Sequence, residues 1–121
     1  MPYKNQTNNN YFVKSNQLLI GDAAITFDFP IAQVIEMEGM LVVRLDNPIN
    51  VVFNENVFGV NIAEKKIKWQ IEKREYNVKT ASCPFVWIRI LDDKLVLSNW
   101  CDTYLVVEPH TGRILEEGYV K

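Results

Sequence analysis

The chain of 121 residues has few of the residue types on which catalytic and metal sites usually depend. It contains one histidine, His110, and two cysteines, Cys83 and Cys101. Two cysteines are too few for a disulfide framework, and three such residues are too few for a zinc site that needs several ligands. We therefore expect two free thiols, no metal ion and no cofactor.

Long apolar runs and a strong charge imbalance are also missing. No apolar run approaches the ~20 residues of a membrane-spanning helix, and residues 1–10 are polar and rich in asparagine, unlike a secretory signal. The formal net charge of −2 gives no general attraction for phosphate backbones or anionic lipids. These absences predict a cytoplasmic protein without a membrane role, although a mature secreted chain whose signal was cut away would look the same. They also argue against nucleic acid as the main partner.

The residues that are present form the pattern of short strands and tight turns. Hydrophobic residues make up 48% of the chain and charged residues 23%, which is typical of a globular domain. Apolar residues recur at every second position, between turns rich in glycine, proline, asparagine and aspartate. We expect residues 1–10 to be a disordered tail and residues 11–121 a single all-β domain. The fold predicted is an antiparallel meander of about eight to ten strands, forming one curved sheet or two packed sheets.

Three segments are less clear than the rest. Residues 49–53 are apolar enough to predict a short strand of their own. Residues 31–37 have a mixed pattern that favours a strand but could hide a helical turn. Residues 72–76 are rich in charged residues, and a short helix there is kept as a minor alternative.

The last third of the chain predicts four successive strands, and its first hairpin determines where the cysteines lie. A two-residue turn at residues 92–93 suits aspartate, which tolerates positive φ. The register that keeps one face apolar then puts Val86 opposite Asn99. It makes Cys83 and Cys101 diagonal neighbours on opposite faces, which prevents a disulfide. A register shifted by one residue would bring the cysteines together but would break the apolar face.

Two hairpins, residues 58–69 and 105–116, share a plan of a short apolar strand, a four-residue loop and a second strand. Gly112 can take the left-handed conformation that closes such a loop, and Lys65 stands at the same position in the first hairpin. The pattern resembles the blade hairpins of quinoprotein-like and WD-type β-propellers. The resemblance implies a meandering antiparallel sheet and no quinone site. A closed propeller is excluded, because a blade needs roughly 40–50 residues and a ring about four blades.

The same loop counting makes two local predictions. It puts Phe58 opposite Trp69, so we expect these two rings to form a cross-strand aromatic pair. It also puts His110 at the tip of the second loop, where we expect it to be exposed and not to bind a metal ion.

No catalytic constellation stands out in the sequence, so we expect a non-enzymatic protein-binding domain. A bacterial immunity protein that covers a toxin would be one example. Aromatic residues dominate binding hot spots, and acidic residues suit a basic toxin. The candidate binding residues are Trp87, Trp100, Tyr104, Asp92 and Asp93.

Two other functions remain open. Glu36 and Glu38, which alternation puts on one face of a strand, could form a carboxylate site of a small hydrolase or lyase with Asp28 or His110. The basic residues 65–68 could bind nucleic acid, although the acidic residues among them favour a solvated strand that resists edge pairing.

Overall fold

The computed structural model of the protein describes residues 11–48, 50–74 and 82–119. These residues form eleven strands in three antiparallel sheets of three, four and four strands, and no helix occurs among them. The strands are β1 (Phe12–Lys14), β2 (Gln17–Ile20), β3 (Ala23–Thr26), β4 (Ile31–Met37), β5 (Met40–Leu45), β6 (Val57–Asn61), β7 (Lys66–Gln70), β8 (Phe85–Leu91), β9 (Lys94–Asn99), β10 (Thr103–Val107) and β11 (Ile114–Tyr119).

The all-β antiparallel meander predicted from the sequence is confirmed, with three sheets in place of one or two. Residues 31–37 are a strand, as favoured, whereas the described part of 49–53 is a loop rather than a strand. Residues 72–74 are in neither helix nor strand, and the rest of the helix considered at 72–76 lies outside the described residues. The predicted tail at 1–10 also lies outside them.

The three sheets stack as layers, with the middle sheet, β4–β7, between the N-terminal sheet, β1–β3, and the C-terminal sheet, β8–β11. Strand β5 of the middle sheet is buried on both faces, which explains its nearly continuous apolar sequence. One core joins the N-terminal and middle sheets through residues that include Leu18, Ile20, Phe27, Leu41, Val43, Leu45 and Val60. A second core joins the middle and C-terminal sheets through residues that include Met40, Val42, Trp69, Phe85, Ile88, Leu95, Leu97 and Leu105.

The middle and C-terminal sheets are two copies of one design. Each begins with a hairpin closed by two residues of positive φ, residues 38–39 in one and 92–93 in the other. Each ends with a hairpin whose four-residue loop closes on a residue of positive φ, Lys65 or Gly112. The backbone N–H of that residue donates to the carbonyl of Asn61 or Glu108, at 2.7 and 2.8 Å. The repeat expected between residues 58–69 and 105–116 is therefore present. It also includes the hairpin that precedes each of these segments, in the middle and in the C-terminal sheet.

The middle and C-terminal sheets each carry two one-residue bulges at matching positions. In the first hairpins the register shifts at Ala32 and at Val86. In the second hairpins it shifts at Lys68 and at Leu115. A bulge leaves one residue unpaired and re-aims the side chains beyond it. Alternation alone does not show where a bulge occurs, and both wrong pairings predicted from the sequence have this cause.

The prediction of two free thiols is wrong, because Cys83 and Cys101 form a disulfide with a Cα separation of 5.4 Å. The two-residue turn and the apolar face of the hairpin are as predicted. The bulge at Val86 then moves the partner of Asn99 from Val86 to Phe85. This shift brings the cysteines opposite each other without breaking the apolar face, so the two registers that seemed to exclude each other both occur.

The predicted pair of Phe58 and Trp69 is also wrong. The bulge at Lys68 places Gly59 opposite Trp69 and Gln70 opposite Phe58. The Phe58 ring lies instead against Phe27 of the N-terminal layer, with ring centroids 5.0 Å apart.

The buried Trp69 joins the middle sheet to the last hairpin loop of the C-terminal sheet. Its indole Nε1 donates a hydrogen bond of 2.7 Å to the carbonyl of Pro109. A Cβ atom built on Gly59 would lie 2.1 Å from the indole, and one built on Gly112 would lie 2.6 Å from it. The ring therefore occupies space that is free only because residues 59 and 112 are glycines without a Cβ atom.

Two amide side chains make further polar links between these sheets. Gln33 donates to the carbonyl of Ile88 at 2.6 Å and accepts from its N–H at 3.0 Å. The buried Asn56 donates to the carbonyls of Leu45 and Phe85 and accepts from the Phe85 N–H. Both amides satisfy backbone groups at the edge of a neighbouring strand, which fixes the relative position of the sheets.

We expect no free thiol when the unreduced protein is titrated in denaturant, because both cysteines are in the disulfide. The paired replacement Cys83→Ser with Cys101→Ser should lower the free energy of unfolding by about 3 kcal/mol, because the bond closes a loop with a sequence separation of 18. Chemical denaturation measures this loss. A count of two thiols would contradict the pairing and the bulge at Val86.

We expect Gly59→Ala to lower the free energy of unfolding by about 3 kcal/mol, because the new methyl group overlaps the Trp69 indole. Gly118→Ala is the matched control. Its Cβ would meet only the far end of the Tyr104 ring, which can move, so a loss below about 1 kcal/mol is expected. In a Trp69→Ala background, Gly59→Ala should lower the free energy of unfolding much less, because the indole that the methyl group overlaps is gone. Equal losses for the two glycines would show that Trp69 does not lie where we place it.

Candidate functional site

The outward side of the C-terminal sheet is the most distinctive surface among the described residues, and we call it the C-terminal outer face. Cross-strand pairing arranges its side chains in rows. The first row consists of Trp87, Ser98, Tyr104 and Gly118; the second of Arg89, Val96, Val106 and Glu116; the third of Leu91 and Lys94. The second and third rows, with Ser98, Tyr104 and Asp92, line a groove of about 260 Å³.

The centre of the face is apolar and its rim is aromatic and charged. Val96 and Val106 are only 7% and 6% exposed, because the larger side chains around them cover them. Trp87 and Leu91 are 50% and 48% exposed, so apolar surface remains open to solvent. An apolar centre with a polar rim and enriched aromatic residues is typical of protein-binding patches.

Two local contacts hold the rim in place. The Arg89 guanidinium lies 4.5 Å from the centroid of the Trp87 ring, in cation–π geometry. The Tyr104 hydroxyl lies 3.4 Å from a carboxylate oxygen of Glu116, and the Tyr104 ring covers Gly118. These contacts reduce the freedom that the side chains would lose on binding a partner.

The matching face of the middle sheet packs against the C-terminal sheet, and its residues can be compared position by position with those of the C-terminal outer face. At the positions of Val96 and Leu91 the middle sheet has Val42 and Met37, which lie in the core beneath the C-terminal sheet. Other positions differ in polarity, since Glu116 stands where the middle sheet has Trp69. The C-terminal outer face therefore keeps the apolar centre of a sheet-packing surface and adds charge at its rim.

The five binding residues predicted from the sequence fall into two places. Trp87 and Tyr104 lie in the first row of the face, and Asp92 lines the groove. Asp93 is exposed in the same turn, and Trp100 is 72% exposed in the turn between β9 and β10.

Sequence reasoning missed the residues between these aromatics. Arg89, Leu91 and Glu116 share the groove, and the alternation of β8 already placed Arg89 and Leu91 on the same side as Trp87. Glu116 could not be assigned in this way, because the bulge at Leu115 determines which face it joins.

His110 is exposed at its loop tip, as predicted, but it makes a hydrogen bond to a carboxylate that was not expected. Its Nδ1 lies 3.2 Å from Oε2 of Glu108, and its Nε2 lies 3.1 Å from the carbonyl oxygen of Glu38. Only the doubly protonated ring donates to both acceptors. The hydrogen bond to Glu108, followed by the one to Glu38, accordingly raises the pKa of His110 above its ordinary value.

Glu108 is held in turn by the loop that it helps to close. Burial acts to raise the pKa of Glu108, but hydrogen bonds from His110 and Thr111 outweigh it, so the pKa lies below its ordinary value. The carboxylate accepts the backbone N–H groups of both residues, at 2.8 and 2.9 Å. These contacts close the loop at residues 109–112. Through His110 they also connect this loop to the turn at residues 38–39 of the neighbouring sheet.

The carboxylates proposed for an enzymatic site are not brought together. Glu36 lies within β4, whereas Glu38 lies in the turn beyond it with φ of 53°, so the two do not share a strand face as predicted. Glu36 lies near Tyr11, whose pKa is raised by burial and then by the Glu36 charge. Asp28 is exposed. Within residues 11–48, 50–74 and 82–119, no group of three acidic, histidine or cysteine residues could hold a metal ion.

The basic residues 65–68 do not form a uniform positive surface. Lys65 lies 3.3 Å from Asp22, and Lys68 lies 2.8 Å from Glu64. Trp69, the aromatic residue beside them, points into the core. A nucleic-acid surface would need uncompensated cations and exposed rings, and this strand presents compensated cations.

The His110 contacts predict a pH-dependent contribution to stability. Because the folded-state pKa of His110 is raised above 6.5, its contribution is fully present below pH 6.5 and is lost as the pH rises through the folded-state pKa. The pKa of Glu108 is lowered, so its contribution is lost only at acid pH, below 4.5. We expect wild type and His110→Gln to differ more in unfolding free energy near pH 5.5 than near pH 8.5. A pH-independent difference would contradict the assignment, and Thr111→Ala serves as a non-titrating control in the same loop.

Comparisons with known proteins give a family for the chain. No curated protein matches the chain. In the part of the chain that the structure describes, no helix is long and apolar enough to cross a membrane. A family model described as "Domain of unknown function (DUF7957)" matches residues 8–119, which is nearly the whole chain. The chain therefore belongs to the DUF7957 family.

Proposed function

We propose that the protein is a non-enzymatic binding module that engages another protein through the C-terminal outer face. The observation that supports this most directly is the comparison of the two repeated sheets. The middle sheet packs this face under the next sheet, whereas the C-terminal sheet leaves it without a covering sheet, with Trp87 and Leu91 about half-exposed beside the covered Val96 and Val106. An open surface of this composition suits a partner that supplies the missing layer.

The charges on the face favour a partner without a strong net charge. Arg89 and Lys94 are balanced by Asp92 and Glu116 around the groove. Electrostatic steering by such a surface is weak, so apolar and aromatic contacts would supply most of the affinity. An immunity protein for a basic toxin remains one form of this proposal, but its surface would act through aromatic residues rather than through acidity.

A hydrolase or lyase and a nucleic-acid binder are less well supported. The enzyme hypothesis placed Glu36 and Glu38 on one strand face with Asp28 or His110. Glu38 lies instead in the turn beyond β4, and His110 binds its backbone in a loop contact. The nucleic-acid hypothesis needed free cations at residues 65–68, and these residues pair with Asp22 and Glu64.

The disulfide bears on where the module acts. The expected cytoplasmic location rested on the polar N-terminus and the lack of a membrane-spanning run, and the pairing of Cys83 with Cys101 now weighs against it. Disulfides persist in oxidising compartments and are rare in reducing ones. We therefore favour an oxidising compartment over the cytoplasm as the place of action.

We expect the tagged protein to capture a specific partner from extracts of its native cell, and Leu91→Glu to abolish that capture. The substitution places a carboxylate on exposed apolar surface at the groove, at little cost to the fold. Val52→Glu is the matched control, because Val52 is also an exposed apolar residue but lies in the loop between β5 and β6. Capture that survives Leu91→Glu and Trp87→Ser would show that another surface binds the partner.

A further inference from the structure

We infer that the partner of the C-terminal outer face is a second copy of this chain, which docks the outward side of its N-terminal sheet there. This inference rests on the proposed function, because it names the occupant of the same surface. The result is a head-to-tail contact in which two different faces meet. Three observations lead to it: the direction of the sheet stack, the composition of the free N-terminal face, and the match between the two free faces.

The sheets stack in a fixed direction. The C-terminal sheet meets the middle sheet through six core residues, Phe85, Ile88, Leu95, Leu97, Leu105 and Val107. By register, their counterparts in the middle sheet are Ile31, Val34, Leu41, Val43, Phe58 and Val60, and all six pack toward the N-terminal sheet. Each repeated sheet therefore turns one type of face toward the preceding sheet and the other type toward the following sheet.

A directional stack of three layers ends in two free faces of different type. The C-terminal outer face is of the type that receives a following sheet, since its counterpart in the middle sheet receives the C-terminal sheet. The outward side of the N-terminal sheet is the only other free sheet face among the described layers. Because these two are the end faces of one directional stack, joining them across copies continues the stack in the same direction.

The free N-terminal face has the composition of a docking surface. Cross-strand pairing aligns Phe12, Leu19 and Ala24 in an apolar row on this side, away from the buried Leu18. Phe12 is 66% exposed, a large amount of open apolar surface for one aromatic ring. An exposed aromatic side chain such as that of Phe12 can act as a binding hot spot at a protein interface.

The two free faces also match in the arrangement of polar and apolar groups. Beside its apolar row the N-terminal face carries a polar row of Lys14, Gln17 and Thr26. The C-terminal outer face places the Glu116 carboxylate beside Val96 and Val106. The apolar row can pack on the exposed apolar surface of Leu91 and Trp87. Lys14 and Glu116 carry charges of opposite sign, which makes the two faces complementary.

A contact between two different faces has a testable consequence that a symmetric contact lacks. Every copy offers one face of each type, so a variant damaged on one face still has the other intact. Two variants that each fail to self-associate should therefore bind each other. In a symmetric contact each copy uses the same surface twice, and mixing variants does not restore an undamaged pair.

The experiment is sedimentation of the full, oxidised chain over a wide concentration range. We expect the average mass of wild type to rise from 14.1 kDa toward twice that value or more. Phe12→Glu and Leu91→Glu should each weaken self-association at least tenfold. An equimolar mixture of the two should regain a species of two chains, and Val52→Glu should behave as wild type.

Circular dichroism and thermal melting show whether each variant is folded. Ala24→Glu and Trp87→Ser replace Phe12→Glu and Leu91→Glu if either of those fails to fold, because all four positions are exposed. The same complementation is expected for this second pair.

Three results would overturn the inference. The first is a wild type that stays monomeric at every concentration. The second is a pair of deficient variants that do not bind each other when mixed. The third is self-association that appears only after residues 1–10 are removed, which would make that segment the occupant. If wild type is monomeric while capture from extracts still depends on Leu91, the proposed binding face stands and its partner is a different protein.

Discussion

The indole of Trp69 is the interaction on which the stacking of the repeated sheets depends. The bulge at Lys68 places this side chain on the inner face, opposite Gly59. From there the ring reaches Gly112 and donates to the carbonyl of Pro109 in the next sheet. One aromatic group thus fills a space left by two glycines and satisfies a polar group that the packing would otherwise bury. A larger residue at either glycine would overlap the indole and force it to move.

The repeated bulges explain how strands with alternating side chains can pack in a stack of three sheets. A flat strand presents its residues to two faces with period two, and β5 of the middle sheet has to satisfy a sheet on each face. A one-residue bulge resets that period, so the segment before it and the segment after it can face different neighbours. The bulges at Ala32 and Val86 bring Gln33 and Trp87 to equivalent positions. The glutamine binds the next sheet at Ile88, and the tryptophan faces solvent.

Gln33 and Trp87 occupy equivalent positions but different surroundings, and this difference connects the fold with the proposed function. A repeat that covers one copy of a face and leaves the other open creates a binding surface without any special loop or pocket. The open copy keeps Val96 and Val106 at its centre, while Arg89 and Glu116 make its rim compatible with water. A surface of this kind can remain exposed until a partner completes the layer. The disulfide joins Cys83, just before the first strand of this sheet, to Cys101 in the turn before β10.

Local sequence determined the elements of this fold, and tertiary packing determined how they meet. The alternation of apolar residues, the aspartate turn at residues 92–93 and the loop closures at Lys65 and Gly112 were readable, because each depends on neighbours along the chain. The shared plan of the two hairpins was readable for the same reason. The four bulges were not, because a bulge disrupts the local ladder and persists only where packing between sheets compensates for it. The disulfide, the partner of Trp69 and the face occupied by Glu116 all depend on those bulges, so only the tertiary structure decided them.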